Sequence, residues 1–88
     1  MYTIQIEENL ESKLKKLFKK DRKQYEIIMK RIEKIVMDPY NFKPLRYDMK
    51  QFRRVHVAKS FVLIFKIEES KKMIKFIDYD HHDKIYKR

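Results

Sequence analysis

Between Phe52 and Ile67 the sequence reads Phe-Arg-Arg-Val-His-Val-Ala-Lys-Ser-Phe-Val-Leu-Ile-Phe-Lys-Ile, setting an imidazole, His56, two residues from a guanidinium, Arg54. Successive side chains on a strand point to opposite faces, so burying Val55 and Val57 presents Arg54 and His56 together on the other face. Such a strand is half core and half cation, and its polar face suits an anionic partner. A second concentration of polar chemistry runs from Tyr79 through Asp80, His81, His82, Asp83, Lys84, Ile85 and Tyr86 to Lys87 and Arg88. Histidine and carboxylate ligands suit zinc, but adjacent ligands without a second spaced pair match known site spacings poorly, so no metal is expected. A helical turn there sets His82 and Tyr86 at i and i+4 on one side, whereas a frayed tail is the ordinary alternative.

The elements that must position these groups follow from periodicity. Tyr2, Ile4 and Ile6 alternate with Thr3 and Gln5 as a short strand. Asn9 is placed to cap a helix whose stripe is Leu10, Leu14, Leu17 and Phe18. Asp21 followed by Gln24 has the form of a capping box, and Tyr25, Ile28, Ile32, Ile35 and Val36 mark a second helix. Pro39 ends it near Met37 or Asp38. An irregular connection, Asp38 to Lys50, holds Pro44 and Leu45 as anchors and leaves Lys43, Arg46 and Lys50 near solvent. Two strands then follow from Phe52, with Phe61, Leu63, Phe65 and Ile67 repeating at a spacing of two. Glu68 to Lys71 turns without a glycine, and Lys72 to Tyr79 alternates Ile74 and Phe76 against Met73, Lys75 and Ile77. The order predicts an α+β domain over residues 1–88, in which an N-terminal strand and a helical hairpin precede a three-stranded antiparallel meander (β-α-α-β-β-β). The helical pair covers one sheet face and leaves the other for function.

Net charge is +10 on 88 residues, which favours nucleic acid, an anionic surface or an acidic protein segment as partner. Hydrophobic residues make up 43% of the chain, enough for a core, so general disorder is excluded. No apolar run approaches the roughly 18 residues that cross a bilayer, and no signal pattern opens the chain, which points to the cytoplasm. With no cysteine, thiolate nucleophiles and disulfides are out of reach. Lys13, Lys15, Lys16, Lys19, Lys20, Arg22 and Lys23 read first as a solvated helix face that can speed encounter with a polyanion.

Taken jointly, Lys43-Pro44-Leu45, Phe52-Arg53-Arg54-Val55-His56-Val57, Ser60 to Ile67 and His82 to Tyr86 resemble the RelE/ParE toxin superfamily. The likeness is greatest to YafQ-type messenger RNA interferases, whose pattern is His-Pro-Leu, Tyr-Arg-x-x-His-Val, Asp-Trp-x-Leu-Ile-Tyr-Lys and a late His four residues before an aromatic. The resemblance implies a type II toxin that cleaves ribosome-bound message without metal or other cofactor. It also implies neutralisation by an acidic, RelB-like antitoxin that wraps the toxin in a hetero-oligomer. Attack of a ribose 2′-hydroxyl on the neighbouring phosphorus needs a proton acceptor, a proton donor and cations for the added charge. By the same resemblance His82 is general acid or base, with His56 as its counterpart or a phosphate contact. Arg54 faces the phosphate, and Tyr86 orients or stacks on a base. Lys43, Arg46, Arg53, Lys59 and Phe61 are RNA or phosphate contacts, Phe61 standing at the tryptophan position. Ser60 replaces the motif aspartate and Lys43 its first histidine, so the chemistry leans on cations, in the RelE manner. Two other readings remain: a ParE-like topoisomerase inhibitor, and an RNA-binding module without catalysis.

Overall fold

Alternation at a spacing of two and stripes at helical spacing translate into seven elements in the computed structural model, which describes residues 2–42 and 52–86. They are β1 (Thr3–Ile6), α1 (Glu8–Lys20), α2 (Arg22–Met37), β2 (Phe52–Val57), β3 (Phe61–Glu68), β4 (Met73–His81) and α3 (His82–Tyr86), with short 3-10 turns at Pro39–Asn41 and Glu69–Lys71. The order is the expected β-α-α-β-β-β, closed by one helical turn. The sheet order is β1-β4-β3-β2, with β1 parallel to β4 and the last three strands antiparallel.

Asn9 does not cap α1. The helix begins one residue earlier, and Glu7, still extended, donates its N–H to the Phe76 carbonyl at 2.9 Å. The chain therefore leaves the strand ladder straight into the helix, and Glu8 and Glu11 lie in a first turn that favours negative charge. Between the helices Asp21 does cap α2, its side chain accepting the Gln24 N–H at 3.1 Å. Gln24 does not complete the box, because its amide donates instead to the Tyr79 hydroxyl at 2.7 Å. Asp38 follows the last residue of α2, as Pro39 requires.

Leu10, Leu14, Ile28, Ile32 and Ile35 pack on Val55, Val57, Leu63, Phe65, Ile74, Phe76 and Tyr79 to form the main core. Val55 and Val57 are buried while His56 is exposed, as the alternation in β2 demands. Ile4 departs from the pattern: on an outer strand it is half exposed rather than core. Phe18 is also exposed, its ring set edge-on to Tyr25 and covered by Arg22, whose guanidinium carbon stands 3.7 Å from the ring centre.

The sheet face away from the helical hairpin is not bare. Val62 and Ile64 are buried there beneath Ile85 of α3, with Phe52 and Ile77 at the margin, so both faces of β3 are apolar. The simple alternation expected for β4 also fails after Phe76. Phe65 pairs with Phe76 but Ile64 pairs with Asp78, so Ile77 bulges out. Ile77 stays on the face of the second cluster, as alternation requires, and the extra residue brings Tyr79 back to the hairpin side beside Phe76. The glycine-free turns are made by Ala58 and Lys72 at positive φ, 59° and 50°, a region that ordinary residues occupy at some cost.

Candidate active site

His56 projects from β2 because Val55 and Val57 take the core side. His82 opens α3, where β4 ends, and its backbone N–H donates to the Ser60 carbonyl in the β2–β3 turn at 2.6 Å. That bond folds the corner back over the sheet. The two imidazoles, distant in sequence, lie with ring centres 5.9 Å apart and planes 21° from parallel. Arg54 comes from the same face of β2 and shares with His56 a cleft of about 340 Å³, lined among the described residues by Asn41, Phe42 and Val55 as well. Asp83 adds a carboxylate: one oxygen is 3.8 Å from Nδ1 of His82 and the other 3.8 Å from Nδ1 of His81.

His81 goes elsewhere. Its ring meets Phe61 edge-on at 5.6 Å, and Phe61 stacks on Tyr79 at 5.2 Å, on the hairpin side of the sheet. Neighbouring residues on a strand diverge, and the corner into α3 widens that divergence. Among the described residues no group of three or more histidine, aspartate or glutamate side chains is gathered as a metal site.

The corner is fastened from α1. Lys13, expected as part of a solvated face, is half-buried and donates to Asp78 Oδ1 at 2.7 Å, the Tyr79 carbonyl at 3.0 Å and Asp80 Oδ2 at 3.3 Å. Asp78 is only 3% exposed. Burial pulls the Lys13 ammonium down and pushes the Asp80 carboxyl up, yet bonding outweighs it in both. Asp78 and Asp80 leave Lys13 above its ordinary value, while the His81 N–H and Lys13 leave Asp80 below the usual carboxylate range.

A comparison with family models finds none that matches. Among curated proteins the chain is 46% identical over 88 residues to "Putative toxin RelE4" of Methanocaldococcus jannaschii, covering 100% of this chain and 94% of that protein. The chain belongs to the RelE toxin superfamily. A Methanosarcina mazei protein without an assigned function is 45% identical over 86 residues, 98% of this chain and all of that one. Solved RelE-superfamily structures share the fold at low identity. The YoeB/ParE toxin from Agrobacterium tumefaciens superposes with a TM-score of 0.82 at 15% identity, over 93% of this chain and 99% of that one. YafQ from E. coli superposes with a TM-score of 0.68 at 22% identity, over 98% and 99%.

In this RelE-type toxin not every residue singled out from the sequence meets at the histidine pair. Arg53 faces the hairpin side, donates to the Phe42 carbonyl at 2.6 Å and lies 5.1 Å from the Tyr40 ring centre, so it pins the Pro39–Phe42 segment. Phe61 belongs to the Tyr79 stack, across the sheet from His56. Lys59 is exposed in the β2–β3 turn. Tyr86 closes α3 one turn after His82, its side chain outside the described residues, and Lys43 and Arg46 lie outside them altogether. Lys13 and Asp83 were not singled out as site residues. Lys13 stands three residues after Leu10 and four before Leu17, at the edge of the apolar stripe, and adjacency to His82 was a signal for Asp83.

Proposed function

We propose that this toxin is an endoribonuclease that inhibits translation by cutting messenger RNA on the ribosome. The observation that carries the proposal is the 5.9 Å approach of His56 and His82 beside Arg54, from opposite ends of the domain's second half. Imidazole is the side chain whose ordinary titration range brackets neutral pH, so one ring accepts the 2′-hydroxyl proton while the other protonates the departing 5′ oxygen. Hydrogen bonds of about 2.8 Å from both rings reach a single phosphodiester at this spacing. Arg54 supplies a permanent charge and paired N–H donors for the phosphorane oxygens, which carry an added negative charge at the transition state. Asp83 adds a carboxylate oxygen 3.8 Å from Nδ1 of His82, on the side of the ring pair where α3 begins. Lys59, Lys43 and Arg46 add to the field that gathers RNA, and Tyr86 orients a base. These residues perform every proton and charge step without a cofactor.

For the antitoxin, the support is a mostly apolar groove of about 390 Å³ along the helical hairpin. Ile6, Leu14, Phe18, Tyr25 and Met29 line it, with Glu11, Lys15 and Lys19 at its rim. It suits an amphipathic, acidic helix, apolar contacts holding what charge attraction delivers. Structures sharing this fold include the toxin–antitoxin complexes RelBE2 of Mycobacterium tuberculosis and YoeB–YefM of Staphylococcus aureus.

The test is to add the purified toxin, free of antitoxin, to programmed ribosomes and map the message by primer extension. New 5′ ends, read as stops within the coding region, are expected. Intact message at low and moderate salt refutes the proposal, and a gyrase supercoiling assay run alongside identifies a topoisomerase inhibitor instead.

A further inference from the structure

We propose that Lys13 is a positioning residue for the histidine pair, clamping the free edge of β4 so that His82 leaves the sheet in the direction that meets His56. This deepens the nuclease reading and rests on it for the catalytic consequence, although the clamp itself is a statement about structure.

β1 accompanies β4 only as far as the Ile6–Phe76 pair, with one further bond from Glu7 to Phe76. Beyond it, among the described residues, that edge of β4 has no strand beside it, and the segment there leads directly into α3. Lys13 reaches down from α1 and takes the place of a strand neighbour. An ammonium has three N–H donors, and its three acceptors here are a side chain, a backbone carbonyl and a second side chain of consecutive residues. Both carboxylates pass the constraint to the backbone. Asp78 Oδ1 accepts the Tyr79 N–H at 2.8 Å, and Asp80 Oδ1 accepts the His81 N–H at 2.7 Å. The next N–H, that of His82, is the one bound to Ser60. A five-residue helix is too short to persist unaided, so the direction of α3 must come from such outside bonds. Elsewhere on α1, Lys15, Lys16, Lys19 and Lys20 are exposed, which sets Lys13 apart as the lysine with a structural task.

The experiment uses the full chain and does not depend on activity alone. Lys13→Met combined with Asp78→Asn removes both charges of the most buried contact, and asparagine keeps an acceptor for the Tyr79 N–H. Asp80→Ala releases the other arm of the clamp while leaving the Lys13–Asp78 pair. Lys13→Arg keeps a cation and serves as rescue. NMR reads the ring cross-peak between His56 and His82, and ribosome-programmed cleavage gives kcat and KM. In the double variant and in Asp80→Ala the cross-peak is expected to vanish and kcat to fall at least tenfold with KM within twofold; Lys13→Arg keeps both. A cross-peak retained in either variant while it is folded overturns the clamp, and if the double variant does not fold, Asp80→Ala decides. A wild-type protein that cleaves nothing defeats the nuclease reading and leaves the cross-peak to judge the clamp.

Discussion

His81 and His82 form a control that the protein itself supplies. Their side chains are similarly exposed, 42% and 46%, and each has its Nδ1 3.8 Å from an Asp83 oxygen. They differ in where they point: His82 stacks with His56, and His81 meets Phe61 on the hairpin side. Replacing His82 by alanine deletes a proton donor or acceptor, worth about 10²–10⁴ in rate. At about 1.36 kcal/mol per decade this is about 2.7–5.4 kcal/mol of barrier. The same change removes a half-exposed ring, so stability should move by no more than about 0.5 kcal/mol. His81→Ala removes an equal amount of surface and the acceptor of the Asp83 N–H, a local bond at 3.2 Å, and should cost less than tenfold in rate. Single-turnover cleavage on programmed ribosomes, with urea unfolding beside it, measures both quantities. Equal losses in the two variants, or His82→Ala within tenfold of wild type, refutes the assignment of acid–base work to the stacked pair.

Arg54→Ala should lower the cleavage rate by about 10²–10³, the range for losing one oxyanion donor, with Arg54→Lys recovering part of it; single-turnover kinetics of both decide. Ile85→Ala empties the contact that seats α3 on Val62 and Ile64, and should cost about 2 kcal/mol by urea unfolding, the low end for such a truncation because a terminal turn can shift to refill the space. Glu69 accepts hydrogen bonds from Lys72, Tyr40 and Tyr2, in that order of influence, and its carboxyl falls from the ordinary 4.5 to about 2. A depressed folded value stabilises above the unfolded one and is lost as acid reaches the folded one, so the advantage of wild type over Glu69→Gln should shrink between about pH 4.5 and pH 2. Glu69, Lys72 and Tyr40 are exposed, so the effect is small and weakened by salt; urea midpoints that differ equally at both ends of that window contradict it. Encounter with the ribosome should slow steeply as salt rises, as the net charge of +10 requires, and stopped-flow binding at several ionic strengths checks this.

Local rules made most of the architecture legible. Alternation in Phe52–Val57 sorted Val55 and Val57 from Arg54 and His56, and helical stripes identified the hairpin residues that bury Ile28, Ile32 and Ile35. The failures share one cause, since each depends on a partner distant in the chain. Asn9 lost its capping role because Glu7 remained bonded to β4. Gln24 turned from its cap to Tyr79, and Tyr79 itself changed faces because a bulge is a property of two strands rather than one. Periodicity cannot report such pairings. Within the site, the strand histidine and Arg54 were readable as a shared face, and family likeness joined His82 to them. Lys13 borders the Leu10–Leu17 stripe, but its acceptor Asp78 lies 65 residues away on β4, a pairing that helical spacing does not report.

The role proposed for His82, on a helix of five residues, poses a physical problem, for such a helix is unstable alone while proton transfer tolerates little misplacement. The structure answers it with attachments from separate elements. Ile85 sinks into the cluster on β3, the Ser60 carbonyl holds the His82 N–H, and Lys13 grips the strand immediately before the corner. One attachment is apolar, one is a backbone hydrogen bond and one is ionic, so heat, salt and acid weaken them unequally. The second apolar face of β3, unanticipated from its alternation, has its reason here. It gives α3 a floor to stand on, and without that floor His82 would sweep through solvent rather than face His56.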